Sequence, residues 1–228
     1  MEKCSIYSVT GKKVEGVLSG NRVCPASEDE LFYDFLDPYL LPVESGGKWG
    51  LMDGHTGALR VSLRFDFTGL FVNGASHAVK DGLHGYIGAR GEIVLPFEYE
   101  DVCDESSTDG HFAVKRGKWG VVNKNNEPVV PFIYDVIFLG SCFDRSIGWF
   151  YPYFGMTAIK DGRYALLDNN YQVLTDNLTA YPRGYEDYLL LQNGRKFGVA
   201  CRDGRLITNI TLLKREAMNL IKKLGRAC

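Results

Sequence analysis

Apolar and polar residues alternate along this chain in short runs, each closed by a turn-forming pair, and the cycle recurs. In its clearest copy His111-Phe112-Ala113-Val114-Lys115 reads as a strand, Arg116-Gly117 as a turn, and Lys118-Trp119-Gly120-Val121-Val122 as the returning strand of a hairpin. Asp81-Gly82, Asp161-Gly162 and Asn193-Gly194 hold the same turn in other copies, and such residues accept the positive φ of tight hairpins. A second polar turn follows at Asp53-Gly54, Arg90-Gly91, Asn125-Asn126, Asn169-Asn170 and Asp203-Gly204. A third strand begins beyond it, strongest at Ile93-Val94-Leu95-Pro96-Phe97-Glu98-Tyr99 and Val129-Val130-Pro131-Phe132-Ile133-Tyr134-Asp135, weaker at Leu59-Arg60-Val61-Ser62-Leu63 and Leu206-Ile207-Thr208. Pro96 and Pro131 have no amide to donate, so the pattern places them at a bulge, an edge or the strand's exit from pairing. Each unit is predicted to be three short antiparallel strands.

One position marks the period. Trp49-Gly50, His84-Gly85, Trp119-Gly120, Tyr164-Ala165 and Phe197-Gly198 are separated by 35, 35, 45 and 33 residues, a repeat length typical of solenoids and propellers. Val14-Glu15-Gly16 resembles a decayed first copy. The expected fold is all-β, a tandem array of about six such units near 5–37, 38–68, 71–103, 111–137, 156–184 and 188–210. An open superhelical stack is favoured because it needs only neighbour contacts, with a closed propeller-like ring as the alternative. The exchange of Trp for His, Tyr and Phe argues for packing between units rather than chemistry, with the neighbouring glycine admitting a close backbone. Phe32-Tyr33-Asp34-Phe35, Phe65-Asp66-Phe67, Tyr99-Glu100-Asp101 and Tyr134-Asp135 repeat an aromatic beside an acid, and a carboxylate there suits capping of turn amides.

Gly117-Lys118-Trp119-Gly120-Val121-Val122 through Pro131-Phe132-Ile133-Tyr134-Asp135, and Gly47-Lys48-Trp49-Gly50-Leu51-Met52-Asp53, resemble the bacterial WG-repeat family. The resemblance implies a repeat scaffold that binds partners, and it supplies no catalytic residues.

The longest interval breaks the rhythm at 138–155, where Trp149, Phe150, Tyr151, Tyr153 and Phe154 crowd together. Aromatics this dense must pack on the array, close it or meet a partner, and they are the candidate binding residues. Residues 211–226 read as an amphipathic helix, with Leu213, Ala217, Leu220, Ile221 and Leu224 on one face, Lys222 and Lys223 in the last turn and Gly225 at C′. An array needs its exposed end covered, so this helix is expected to be a cap.

Composition narrows the functional classes. A net charge of −2 lacks the basic footprint of a nucleic-acid binder. No apolar run approaches the length of a membrane span and no secretory leader is evident, so a cytoplasmic protein is expected. The cysteines Cys4, Cys24, Cys103, Cys142, Cys201 and Cys228 are scattered, as reduced thiols rather than as a zinc site. His55, His77, His84 and His111 read as separate structural or exposed side chains, and Asp101, Asp104 and Glu105 as a solvated turn. Phosphate loops, nucleophile elbows and paired-histidine metal motifs are all missing, so neither catalytic residues nor a metal or cofactor are expected. The leading reading is a non-catalytic scaffold for a protein partner; the alternative is a ligand-binding or hydrolytic propeller-like protein with a carboxylate-lined pocket.

Overall fold

The computed structural model describes the chain apart from residues 9, 27–38, 104–109, 139–140, 145–148, 153–156, 169, 186, 202–203 and 226–228, and for 141–144 and 149–152 it describes the backbone. Two compact units emerge: Met1–Arg116 with Val122–Glu127, and Gly117–Val121 with Pro128–Cys228.

The first sheet comprises β1 (Glu2–Tyr7), β2 (Lys13–Ser19), β3 (Arg22–Pro25), β4 (Leu40–Ser45), β5 (Lys48–Asp53) and β6 (Leu59–Phe65), in the order β3-β2-β1-β4-β5-β6. Residues 2–25 therefore make no sheet of their own. The free edge of β1 pairs with β4, Ser5 opposite Glu44 and Ile6 opposite Val43, and this merges the expected first copy into that of Trp49. The sheet curls until its ends meet: the Val23 amide donates to the Gly57 carbonyl at 2.8 Å and the Leu59 amide to that of Asn21 at 3.0 Å. Cys4, Ile6, Val14, Val23, Leu41, Val43 and Met52 fill the interior, so both edges of the terminal sheet find partners.

Later sheets follow one plan. The second is β7 (Phe67–Val72), β8 (Ala75–Lys80), β9 (Leu83–Ile87) and β10 (Ile93–Tyr99); the third is β11 (Asp101–Val102), β12 (His111–Arg116), β13 (Lys118–Asn123) and β14 (Pro128–Tyr134). A two-stranded hairpin, β16 (Ser141–Asp144) with β17 (Trp149–Pro152), interrupts the fourth sheet, which contains β15 (Val136–Phe138), β18 (Thr157–Lys160), β19 (Arg163–Leu167) and β20 (Val173–Leu178). The fifth has β21 (Arg183–Tyr185), β22 (Tyr188–Asn193) and β23 (Lys196–Cys201).

The structure adds a leading strand to the expected three. After each acidic position the chain stays extended and pairs with the first strand of the next hairpin. The amides of Asp66, Glu100 and Asp135 donate to the carbonyls of Val79, Lys115 and Ile159 at 2.8, 2.9 and 2.7 Å. What the sequence presents as the end of one unit is thus the beginning of the next sheet. The turns follow their chemistry, with positive φ at both Asp81 and Gly82 and at both Asp161 and Gly162. Pro96 lies inside the bulge between Leu95 and Tyr99 of β10, where no amide is demanded. Leu206-Ile207-Thr208 makes only a bridge from Leu206 to Ala200 and bonds to Val199.

The helix α1 spans Lys214–Leu224 and buries Ala217 and Ile221 against Leu190, Phe197 and Val199. It starts later than the hydrophobic pattern suggests because Leu212 is held in two backbone bonds with Phe197, at 2.9 and 3.0 Å. The Leu213 amide then donates to Glu216 Oε2 at 2.8 Å, satisfying one donor at the helix start. Gly225 caps the other end with φ −67°, in right-handed rather than left-handed backbone.

Candidate functional site

The five aromatic positions lie beside the hairpin turn of their sheets. Trp49, His84, Trp119 and Tyr164 are half-buried, and Phe197 is 9% exposed beneath α1. Trp49 lies between Tyr7 of its own sheet, with ring centroids 4.8 Å apart, and Phe67 of the next, at 5.1 Å. Tyr164 meets Tyr181 edge-on at 5.8 Å. Trp49 thus reaches the following sheet while remaining half-buried.

The partner of Gly50, Gly85 and Gly120 is the third strand of the same unit, not the adjacent unit. Gly50 alone stands opposite Ser62, Leu63 and Arg64 between the pairs Leu51–Val61 and Trp49–Phe65. Gly85 alone likewise stands opposite Pro96, Phe97 and Glu98. This bulge drives carbonyls onto the glycine Cα. A methyl at Gly50 would overlap the Val61 carbonyl oxygen, and at Gly85 and Gly120 it would lie 2.8 Å from those of Leu95 and Val130. At Ala165 the bulge is shorter, Asp176 and Asn177 only, with Asn177 at φ 60°, and a methyl fits.

A recurrent clip joins the Lys-Trp-Gly lysine to the acid that closes the unit. Lys48 Nζ donates to Asp66 Oδ1 at 2.7 Å, and Lys118 Nζ donates to Asp135 Oδ1. The second oxygen of each carboxylate takes a turn amide of the following hairpin: Gly82 at 3.4 Å and Asp161 at 2.8 Å. The lysine hydrogen bond holds the Asp66 and Asp135 carboxyls below their usual range and raises Lys48 and Lys118 above theirs. Thr179 replaces the acid in the fourth sheet. Its Oγ1 still accepts the Gly194 amide at 2.8 Å, but it brings no charge to meet Arg163.

The second turn consumes other carboxylates. Asp53 accepts the amides of His55 and Thr56 at 3.0 and 2.9 Å and pairs with Arg60 at 2.7 Å. Asp168 accepts those of Asn170 and Gln172 at 2.8 and 2.9 Å. Asp104 and Glu105 lie outside the described residues. Among those described, no group of three or more His, Cys, Asp or Glu is placed to hold a metal, and Cys4, Cys24 and Cys201 are free thiols.

Residue-by-residue reading missed a histidine pair. His77 Nε2 and His84 Nδ1 are 3.0 Å apart, and Asp101 Oδ1 lies 3.9 Å from His84. The two-residue Asp81-Gly82 turn could have revealed it, since its register sets His84 opposite Val79 and His77 opposite Tyr86, making the histidines diagonal neighbours on one face. The pair continues a ring series from Tyr7 through Trp49 and Phe67, with Phe67 5.4 Å from His77.

Of the candidate binding residues, Trp149, Phe150 and Tyr151 fall in β17, opposite Asp144, Phe143 and Cys142. Tyr153 and Phe154 lie outside the described residues.

Residues 85–118 and 119–139 match the family model described as WG containing repeat. A search of the curated proteins found no match. Among solved structures, the chain is similar to "KlHsv2 with loop 6CD replaced by a Gly-Ser linker", at 11% identity over 77% of this chain and 64% of that one, TM-score 0.41. It is similar also to "Kluyveromyces lactis Hsv2 complete loop 6CD", at 12% identity over 74% and 58%, TM-score 0.38. A third, "Crystal structure of the eukaryotic initiation factor", is 7% identical over 92% and 74%, TM-score 0.38. The chain thus spans less than two thirds of the length of either Hsv2 structure. Among the described residues no helix is long and apolar enough to cross a membrane.

Proposed function

We propose that this chain, with WG repeats at residues 85–139, is a non-catalytic β-repeat scaffold that binds a protein partner. The observation that carries the proposal is the interruption of the repeat. The β16–β17 hairpin, with Trp149, Phe150 and Tyr151 on one strand, pairs with itself and, among the described residues, joins none of the four-stranded sheets. An aromatic-rich segment outside the repeat's own ladder suits an interface. The use of Asp53, Asp66, Asp135 and Asp168 in turns and clips supports a scaffold over the alternative of a carboxylate-lined ligand or hydrolytic pocket.

The test is partner capture from the native host by the full chain, beside the triple variant Trp149→Ser, Tyr151→Ser, Tyr153→Ser. The variant is expected to unfold at the wild-type urea midpoint and to lose the captured protein. An identical set of captured proteins would remove the hairpin as the contact site.

A further inference from the structure

The clip formed at Lys48 and Lys118 is missing from the second sheet, where Leu83 takes the lysine's place, and from the fourth, where its loss leaves an exposed cation without its acid. In the fourth sheet Arg163 occupies the position of Lys48 and Lys118, while Thr179 occupies that of Asp66 and Asp135. Thr179 keeps the architectural half of the job by accepting the Gly194 amide. It cannot neutralise a guanidinium. Lys160 stands directly across the turn from Arg163. The next turn, Asn193-Gly194-Arg195-Lys196, is brought alongside by two bonds, Gly194 amide to Thr179 Oγ1 at 2.8 Å and Thr179 amide to the Gln192 carbonyl at 2.9 Å. Lys160, Arg163, Arg195 and Lys196 are all exposed, and among the described residues none has an ion pair. Lys48, Lys115, Arg116 and Lys118, at matching edges elsewhere, have one, while Lys80, the counterpart of Lys160, has none among the described residues.

Two exposed carboxylates lie nearby, and among the described residues neither makes an ion pair with these cations. Asp161 lies close enough to Lys118 to raise it and gives its amide to Asp135. Asp176, in the bulge, accepts from Asn177 at 3.0 Å and acts on Tyr134. The apolar component of the surface is a set of rings: Tyr164 and Tyr181 are half-buried, and Phe138, 41% exposed, meets Tyr181 edge-on at 6.2 Å. Arginine and tyrosine around a partly open aromatic cluster are the residue types that dominate protein interfaces. Unpaired cations on an acidic chain select a negative partner.

Resting on the scaffold reading above, we infer that the turn edge formed by Lys160, Arg163, Arg195 and Lys196 around Phe138, Tyr164 and Tyr181 docks an acidic segment of the protein partner. Its carboxylates meet the four cations and its apolar side chains cover the rings.

The test is fluorescence anisotropy of fluorescein-labelled decaglutamate titrated with the full chain. Binding that weakens as salt rises is expected, and the Arg163→Asp, Arg195→Asp variant is expected to bind about tenfold more weakly. Lys124→Glu, an exposed cation in the second turn of its unit, should leave binding unchanged. The decisive variant is Thr179→Asp, which restores the clip. It should pair with Arg163, weaken decaglutamate binding about threefold, and leave the thermal midpoint at or above that of wild type, so that lost binding cannot be ascribed to lost fold. Absence of decaglutamate binding overturns the inference, as does an equal loss in Lys124→Glu or full binding by Thr179→Asp. A single-stranded oligonucleotide or phosphatidylserine vesicles binding more tightly through the same residues also overturns it, because the surface would then read polyanions at large. If Arg163→Asp, Arg195→Asp captures the host partner normally while the hairpin variant does not, this inference fails and the scaffold reading stands; if wild type captures nothing, the scaffold reading itself fails.

Discussion

The Trp49 and Tyr164 copies of the repeat share a frame and differ in three linked features. Around Trp49, a glycine faces a three-residue bulge, a lysine pairs with an aspartate, and the ring lies between Tyr7 and Phe67. Around Tyr164, an alanine faces a two-residue bulge, an arginine sits near a threonine, and one ring contact, to Tyr181, replaces two. Both copies form the same hairpin and receive the next turn on a side-chain oxygen of the same position, Asp66 Oδ2 or Thr179 Oγ1. Backbone pairing, packing and charge pairing are therefore separable tasks in this repeat. Only the last has been given up at Tyr164, and the surface left over is basic.

Placing a methyl where the bulge leaves no room should have the largest effect. Gly50→Ala must displace the backbone at Val61 and is expected to cost about 3 kcal/mol, read as a lowered urea midpoint with unchanged slope. A cost below about 1 kcal/mol would mean that the bulge yields. Trp49→Ala removes a half-buried ring with two aromatic neighbours, and about 2–3 kcal/mol is expected, less than for a fully buried tryptophan. The same measurement checks it. The reciprocal change at the other copy, Ala165→Gly, opens no clash and loses only a buried methyl and backbone restriction, about 1 kcal/mol.

The clip has the smallest effect, visible mainly through pH. Asp135 is held below its usual range in the folded state, so its contribution is present above the ordinary carboxylate value and disappears as pH falls through the lowered folded one. Lys118 is raised, so its contribution is present below the ordinary lysine value and disappears as pH rises through the raised one. Asp135→Asn should flatten the acid limb of stability against pH slightly, and high salt should mask the difference because the pair is exposed. An unchanged acid limb at low salt would show that the ion pair adds nothing to fold stability.

Much of the fold was legible in the chain. The Asp-Gly turns demand positive φ, and the strands on either side of them alternate, so the hairpins at 75–87 and 157–167 could be read directly. Pro96 announced a bulge, an edge or an exit from pairing, of which the register selects the bulge, and the 35-residue steps announced the array. The leading strand was hidden because Phe67–Val72 and Val136–Phe138 each start just past an acid that looks like an ending, and Val136–Phe138 is only 3 residues long. The merging of residues 2–25 into the sheet of Trp49 was hidden too, since the pairing of Ser5 and Ile6 with Glu44 and Val43 depends on contacts distant in sequence. The candidate site divides in the same way. The aromatic positions and their acids were legible as a repeat, but the His77–His84 pair and the isolation of Arg163 depend on which side chains a register brings together.

Sequence alone determined the period, the strand–turn rhythm, the aromatic marker and the capping helix, because each follows from local φ preferences and from the alternation of faces along a strand. Tertiary structure alone decided where each sheet begins, which backbone approaches each glycine, and which cations are left unpaired. Those outcomes depend on the register between strands far apart in the chain, and shifting a register by one residue reverses every side chain it places.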